Sequence, residues 1–187
     1  MDDAVVHCVS ERQAKYLRKA IANRMEEVEL RLHPDKTKIV YCKDGTRKLE
    51  YEHTSFTFLG FTFHARAACS RNGNKFSSFL PAISKEALNK ISQEVRRWRL
   101  HRRIRHSLAE LATRINPIVR GWMQYYGAFY RSALHPFLRR INTYLLRWIR
   151  KKHKRLRSFK RAKACWQRLT SQNPRLFAHW AWISASW

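Results

Sequence analysis

Apolar and polar positions along the chain change period several times, and each change predicts an element. Residues 4–9, AVVHCV, are a run of strand formers. Ser10 with Gln13 then matches a capping box, in which each side chain satisfies a free backbone N–H. Ala14, Leu17, Ile21, Met25, Val28 and Leu32 follow at three- and four-residue steps. This is one apolar stripe over five turns, and it predicts a helix that His33-Pro34 stops. TKIVYC (37–42) reads as a second strand, and KDGTRK after it carries Asp44-Gly45 as a hairpin signal. FTFLGFTFHA (56–65) reads as one more strand, interrupted at Gly60 by a bulge or a close backbone approach.

Beyond residue 80 the period becomes helical throughout. Ser84 caps a helix whose face is Leu88, Ile91, Val95 and Trp98, with Lys85, Lys90, Arg96 and Arg97 elsewhere. Ser107 with Glu110 forms a second capping box ahead of Leu108, Leu111, Ala112 and Ile115. Asn116-Pro117 is expected to end that helix and begin another, since Asn caps well and Pro suits the first helical position. Ile118, Trp122, Tyr126 and Phe129 continue the spacing. His135-Pro136 starts the last long helix, with Phe137, Ile141, Leu145 and Trp148 inward and Arg139, Arg140, Arg147 and Arg150 outward. Stripes of this kind pack against one another as a small bundle. Residues 150–163 hold nine Lys or Arg in fourteen positions, which suits either a flexible tail or a helix that stiffens on a polyanion. Trp166, Leu169, Leu176, Phe177, Trp180 and Trp182 are too apolar for a free tail and should fold back onto the bundle.

Charge adds what periodicity does not. The 187 residues include 39 Lys or Arg against 13 Asp or Glu, a formal net charge of +26. Residues 1–80 hold 14 basic and 10 acidic residues, and residues 81–187 hold 25 and 3. The step falls at Leu80-Pro81, an extended connector and the expected domain boundary. A body this basic repels itself until it meets a polyanion, and nucleic acid is the commonest one. The hydrophobic share of 44% rules out a disordered basic tail. No run of apolar residues is long enough to span a bilayer. The first residues lack the basic and apolar regions of a signal peptide, so a cytoplasmic protein without membrane partners is expected. Cys8, Cys42, Cys69 and Cys165 form no C-x-x-C pair and have no His at zinc spacing, which reads as four reduced thiols.

Met1-Asp2-Asp3 followed by AVVHC resembles the end of the Tyr-x-Asp-Asp hairpin of reverse transcriptases. LHPDKTKIVYC resembles the next block of the group II intron subgroup, and FLGFTF its primer-grip region. The resemblance implies that Asp2 and Asp3 are catalytic carboxylates holding Mg²⁺, with a third aspartate from an earlier strand that this chain does not contain. Mg²⁺ takes hard oxygen ligands, and a pair of such ions stabilises both attacking and leaving oxygens in phosphoryl transfer. Lys36 matches a lysine suspected of protonating departing pyrophosphate, with a structural or phosphate-contact role as the other reading. Phe58, Leu59, Gly60 and Phe61 match residues that support the primer backbone; they read equally as the core of a β-hairpin.

INPIVRGWMQYYGAF (115–129) carries most of a second resemblance, to the thumb and maturase-specific domain of the same family. The whole chain then reads as an α+β C-terminal fragment of a group II intron-encoded reverse transcriptase/maturase. Residues 1–80 would be the last part of the palm, a short antiparallel sheet plus a helix. Residues 81–155 would be the helical thumb/maturase bundle, and residues 156–187 a basic, Trp-rich extension. The resemblance implies binding of structured intron RNA and assistance to splicing. It implies RNA-directed DNA polymerisation only if an N-terminal half, such as a separately encoded one, is supplied, with an RNA/DNA duplex and target DNA as further partners. The alternative is an inactive remnant or a stand-alone basic RNA-binding protein. RNA contacts are expected from Arg96, Arg97, Arg114, Arg120, Arg139, Arg140, Arg147, Arg150, Lys151 and Lys152, with Tyr125 a candidate for stacking on a base.

Overall fold

The computed structural model describes residues 4–47, 49–70 and 72–183. Its elements are α1 (Glu11–Glu27), β1 (Phe56–Phe58), β2 (Phe61–Cys69), β3 (Lys75–Ile83), α2 (Lys85–Arg97), α3 (Leu108–Tyr126), α4 (His135–Lys152) and α5 (Phe159–Gln172), an α+β composition. The three strands form one antiparallel sheet in the order β1-β2-β3. The chain divides into two compact units. One runs to Phe58 and resumes from Phe63 to Leu80; the other takes Leu59–Thr62 and the chain from Pro81 onward.

In the first unit α1 starts where its cap predicts. Ser10 Oγ accepts from Gln13 N at 3.2 Å, while the Gln13 side chain accepts from Val9 N rather than Ser10 N. The helix ends five residues earlier than the stripe suggests. Leu30 N donates to Met25 O at 2.8 Å and Glu29 N to Glu26 O at 3.0 Å, the paired bonds of a Schellman motif. Glu29 takes the left-handed φ of 59° that this ending requires, so a non-glycine residue terminates the helix. None of its residues is buried, and Ile21 is exposed.

The expected strands at 4–9 and 37–42 are irregular backbone. Strand formers hold an extended ladder only beside another strand, and the described residues supply no ladder to either segment. The second segment keeps a backbone bond to the segment that follows it, Tyr41 N to His53 O at 2.8 Å, and a Tyr41–Tyr51 ring contact. The turn at Asp44-Gly45 is real but is held by a side chain: Asp44 Oδ1 accepts from the N–H groups of Thr46 and Arg47, both at 2.8 Å. Those bonds, with the Thr46 hydroxyl first among them, keep the Asp44 carboxyl below its usual range.

FTFLGFTFHA is two strands instead of one. Leu59 (φ 48°) and Gly60 (φ 78°) both lie in the left-handed region, which makes them the centre of a two-residue hairpin turn of the I′ kind between β1 and β2. Gly60 suits that turn; Leu59 does not, and its side chain is 64% exposed. Strand β3 was not foreseen at all, although Asn72-Gly73 is a hairpin signal and Gly73 has φ 80°. It runs through Leu80-Pro81 to Ile83. Within the first unit Phe56 stacks on Phe63 at 4.6 Å between centroids and lies 6.1 Å from Phe79.

The helical unit has a continuous apolar core. Ser84 caps α2 through Ala87 N, and both bonds of the Ser107–Glu110 box are formed. Ile91 and Val95 of α2, Leu111, Ile115 and Val119 of α3, and Leu138, Ile141 and Leu145 of α4 are buried together. Helix α3 is unbroken across Asn116-Pro117. The buried positions shift to Val119 and Met123, leaving Ile118 exposed, so the apolar face continues past the proline and outweighs its lost N–H. Gly127 follows α3 because nothing larger fits: a Cβ there would sit 2.2 Å from the Trp182 ring.

The basic stretch after α4 is ordered rather than a tail. It turns at Lys154–Leu156 and enters α5, whose Ala162, Trp166 and Thr170 are buried. Phe177, Trp180 and Ile183 return to the same core. Two asparagines fasten this return. Asn116 Nδ2 donates to Leu176 O and Asn116 Oδ1 accepts from Ala178 N, both at 2.9 Å. Asn142 Oδ1 accepts from Trp180 Nε1 at 3.0 Å and lies 2.8 Å from His179 Nε2.

Candidate nucleic-acid interface

Helix α4 has two chemically opposite sides. Phe137, Leu138, Ile141, Leu145, Leu146, Trp148 and Ile149 face the core. Arg140, Tyr144, Arg147 and Lys151, at steps of four, three and four, follow one line along the other side. Two concave clefts open there. The first, about 390 Å³, is lined by Arg96, Pro136, Arg139, Arg140, Thr143, Tyr144 and Arg147. The second, about 430 Å³, is lined by His101, Arg147, Arg150, Lys151 and Arg157. Arg147 borders both, with its guanidinium 5.7 Å from the Tyr144 ring centre.

Neither lining contains a carboxylate. Beyond residue 80 the chain has only Glu86, Glu94 and Glu110. Glu94 is engaged by Arg97 at 3.6 Å and by Trp98 Nε1 at 3.1 Å. Glu110 is engaged in the capping box, and the Ser107 N–H and hydroxyl hold its carboxyl below the ordinary range. The positive clefts are therefore uncompensated by acidic lining. Such a surface attracts polyanions, and arginine forks match phosphate oxygens in geometry.

The structure sorts the expected contact residues. Arg96, Arg139, Arg140, Arg147, Arg150 and Lys151 meet in the clefts. Arg97 is exposed but paired to Glu94. Arg114 and Arg120 are exposed on α3 and line neither cleft. Lys152 is tied inward: its Nζ donates to His106 O at 2.6 Å and lies 4.8 Å over the Trp148 ring. Tyr125 is half-exposed, its hydroxyl donating to Leu59 O at 2.9 Å and its ring 5.2 Å from Phe61. Phe61 itself is buried against Tyr126 and Phe129. Phe58 is half-buried on β1, and Leu59 and Gly60 form the turn. Lys36 is exposed on the turn after Pro34. Asp2 and Asp3, the expected metal ligands, lie outside the described residues.

Among the described residues no three His, Cys, Asp or Glu side chains stand together to hold a metal ion. Among the described residues no helix is long and apolar enough to cross a membrane. Pro136, Thr143 and Tyr144 of α4 also line the first cleft without having been expected as contacts, and two residues of the second, His101 and Arg157, come from outside the helix. Neither shares a helix face with α4; His101 arrives through a short turn at Leu100–Arg102 and Arg157 through the turn after α4.

Residues 88–166, from α2 into α5, match the family model described as group II intron, maturase-specific domain. The match covers 79 of the 187 residues, and the helical unit that includes it contains both clefts. No curated protein and no solved structure matches the chain.

Proposed function

We propose that this protein binds structured group II intron RNA through the α4 clefts and so assists the intron to its splicing-competent fold. The observation that carries this reading is the pair of arginine-lined clefts without a carboxylate, on a rigid helix inside the stretch that matches the maturase-specific domain. A rigid cationic face releases condensed counterions when it engages RNA. Affinity then falls with salt at a log–log slope of about −0.7 to −0.9 per phosphate engaged. The test is the affinity of the purified chain for a group II intron transcript, and for an unrelated RNA of similar length, across a salt series. Steep slopes with preference for the intron support the reading; salt-independent or absent binding refutes it.

The resemblance to reverse transcriptases extends the proposal to a fragment of a larger enzyme. DNA synthesis would need an N-terminal half, with an RNA/DNA duplex as substrate and target DNA as a later partner. Any Mg²⁺ would rest on Asp2 and Asp3, and the described residues add no metal cluster to them. Primer extension by this chain alone is expected to be undetectable. Extension that Asp2→Ala abolishes would overturn that part of the proposal.

A further inference from the structure

The second cleft differs from the first in holding a titratable ring among its cations. His101 sits on the short turn between α2 and α3, where buried Leu100 anchors it and Arg99, at φ 47°, turns the chain. Its ring stacks on Tyr144 of α4 at 6.1 Å between centroids, with 23° between the planes. Its Nδ1 is buried and has no hydrogen-bond partner. The charged groups that face it are all cationic: Arg99 and Arg102 from its own turn, Arg147 and Lys151 from α4. Arg150 and Arg157 complete the lining. Burial first, and then those four cations, hold the imidazole below its ordinary range, so near neutral pH the ring is uncharged.

We infer that this cleft seats a backbone phosphodiester of the bound RNA and that His101 takes up a proton as the phosphate enters. The inference rests on the RNA-binding reading above and names the group that reports occupancy. An entering phosphate supplies the one charge the cleft lacks. It offsets the repulsion from Arg147 and Lys151 that disfavours imidazolium, and it accepts hydrogen bonds from the ring once protonated. By linkage, whatever protonates more readily in the complex makes the complex tighter as pH falls. A phosphodiester stays singly charged between pH 5.5 and 8, so the proton is taken by the protein. The first cleft has no histidine in its lining and contributes no such dependence.

The experiment measures binding of the full chain to a short blunt-ended RNA duplex by fluorescence anisotropy at constant salt, at pH 5.5 and pH 8.0. One proton taken up changes affinity by at most tenfold per pH unit, so wild type should bind about five- to tenfold more tightly at the lower pH. His101→Gln should bind more weakly than wild type at pH 5.5 and lose most of that ratio while still binding the duplex measurably. His101→Lys, permanently charged, should bind at pH 8.0 nearly as tightly as wild type does at pH 5.5. The His101 ring resonances, followed by NMR, should titrate at higher pH with duplex than without. An unchanged ratio in His101→Gln, with binding intact, overturns this inference alone. Failure of wild type to bind the duplex at either pH overturns the RNA-binding reading and this inference together.

Discussion

The side-chain oxygen of Asn142 lies 2.8 Å from Nε2 of His179, a ring that is wholly buried in the helical unit. With Nε2–H donating to that oxygen, Nδ1 is left as a buried acceptor without a partner. Burial pushes the His179 pKa down to about 3. The unfolded chain, with an ordinary histidine near 6.5, therefore binds more protons than the folded one between those values. Stability rises with pH through that window and falls as pH drops from about 6.5 toward 3, by at most roughly 1.4 kcal/mol per pH unit from this group. Urea unfolding at a series of pH values should show this slope, and His179→Gln should flatten it. An equal slope in both proteins would contradict the assignment.

Asn116 does comparable work on α3, bonding the backbone at both Leu176 and Ala178. Replacing it with Leu removes two bonds and strands a part-buried carbonyl and N–H. A loss of about 2–4 kcal/mol is expected in urea unfolding. A loss below about 0.5 kcal/mol would mean that the chain after α5 is not fastened there.

Gly127 tests the same return from the packing side. A methyl group at this position meets the Trp182 ring and the Met123 carbonyl oxygen, the latter at 2.4 Å. Gly127→Ala should destabilise the protein by about 1–3 kcal/mol, the usual range for overpacking. Neutral behaviour in thermal unfolding would show that the contact is not made.

Glu29 offers a change of the opposite sign. It holds the left-handed C-terminal position of α1 that glycine fills more cheaply. Glu29→Gly should stabilise the helix end by about 0.5–1 kcal/mol. Slower amide exchange in the last turn of α1 is the expected sign, and faster exchange would contradict it.

Much of the helical unit was legible because caps and stripes agreed with each other. Ser84, Ser107 and Glu110 act as the sequence pattern suggests, and Phe137, Ile141, Leu145 and Trp148 are all buried. The misreadings have local causes. Asn116-Pro117 resembles a helix boundary, yet Asn116 uses its side chain on a segment sixty residues away, which no local pattern can show. Leu59 conceals a hairpin turn because turn residues are expected to be Gly, Asn or Asp. Of the interface, the α4 arginines follow from helical spacing. His101 and Arg157 do not, because turns bring them in from outside the helix.

The central claim is that the α4 clefts grip RNA phosphates, and Arg147, which borders both, is the residue on which to test it. Arg147→Gln and Arg114→Gln change the same net charge, one in the clefts and one away from them. The decisive measurement is the affinity of wild type and both variants for a group II intron transcript over a salt series. Arg147→Gln should weaken binding by about five- to twentyfold and make the log–log slope shallower by about 0.7–0.9, while Arg114→Gln changes affinity by about twofold or less. Equal losses in the two variants would show that net charge alone drives binding and that the clefts are not the site.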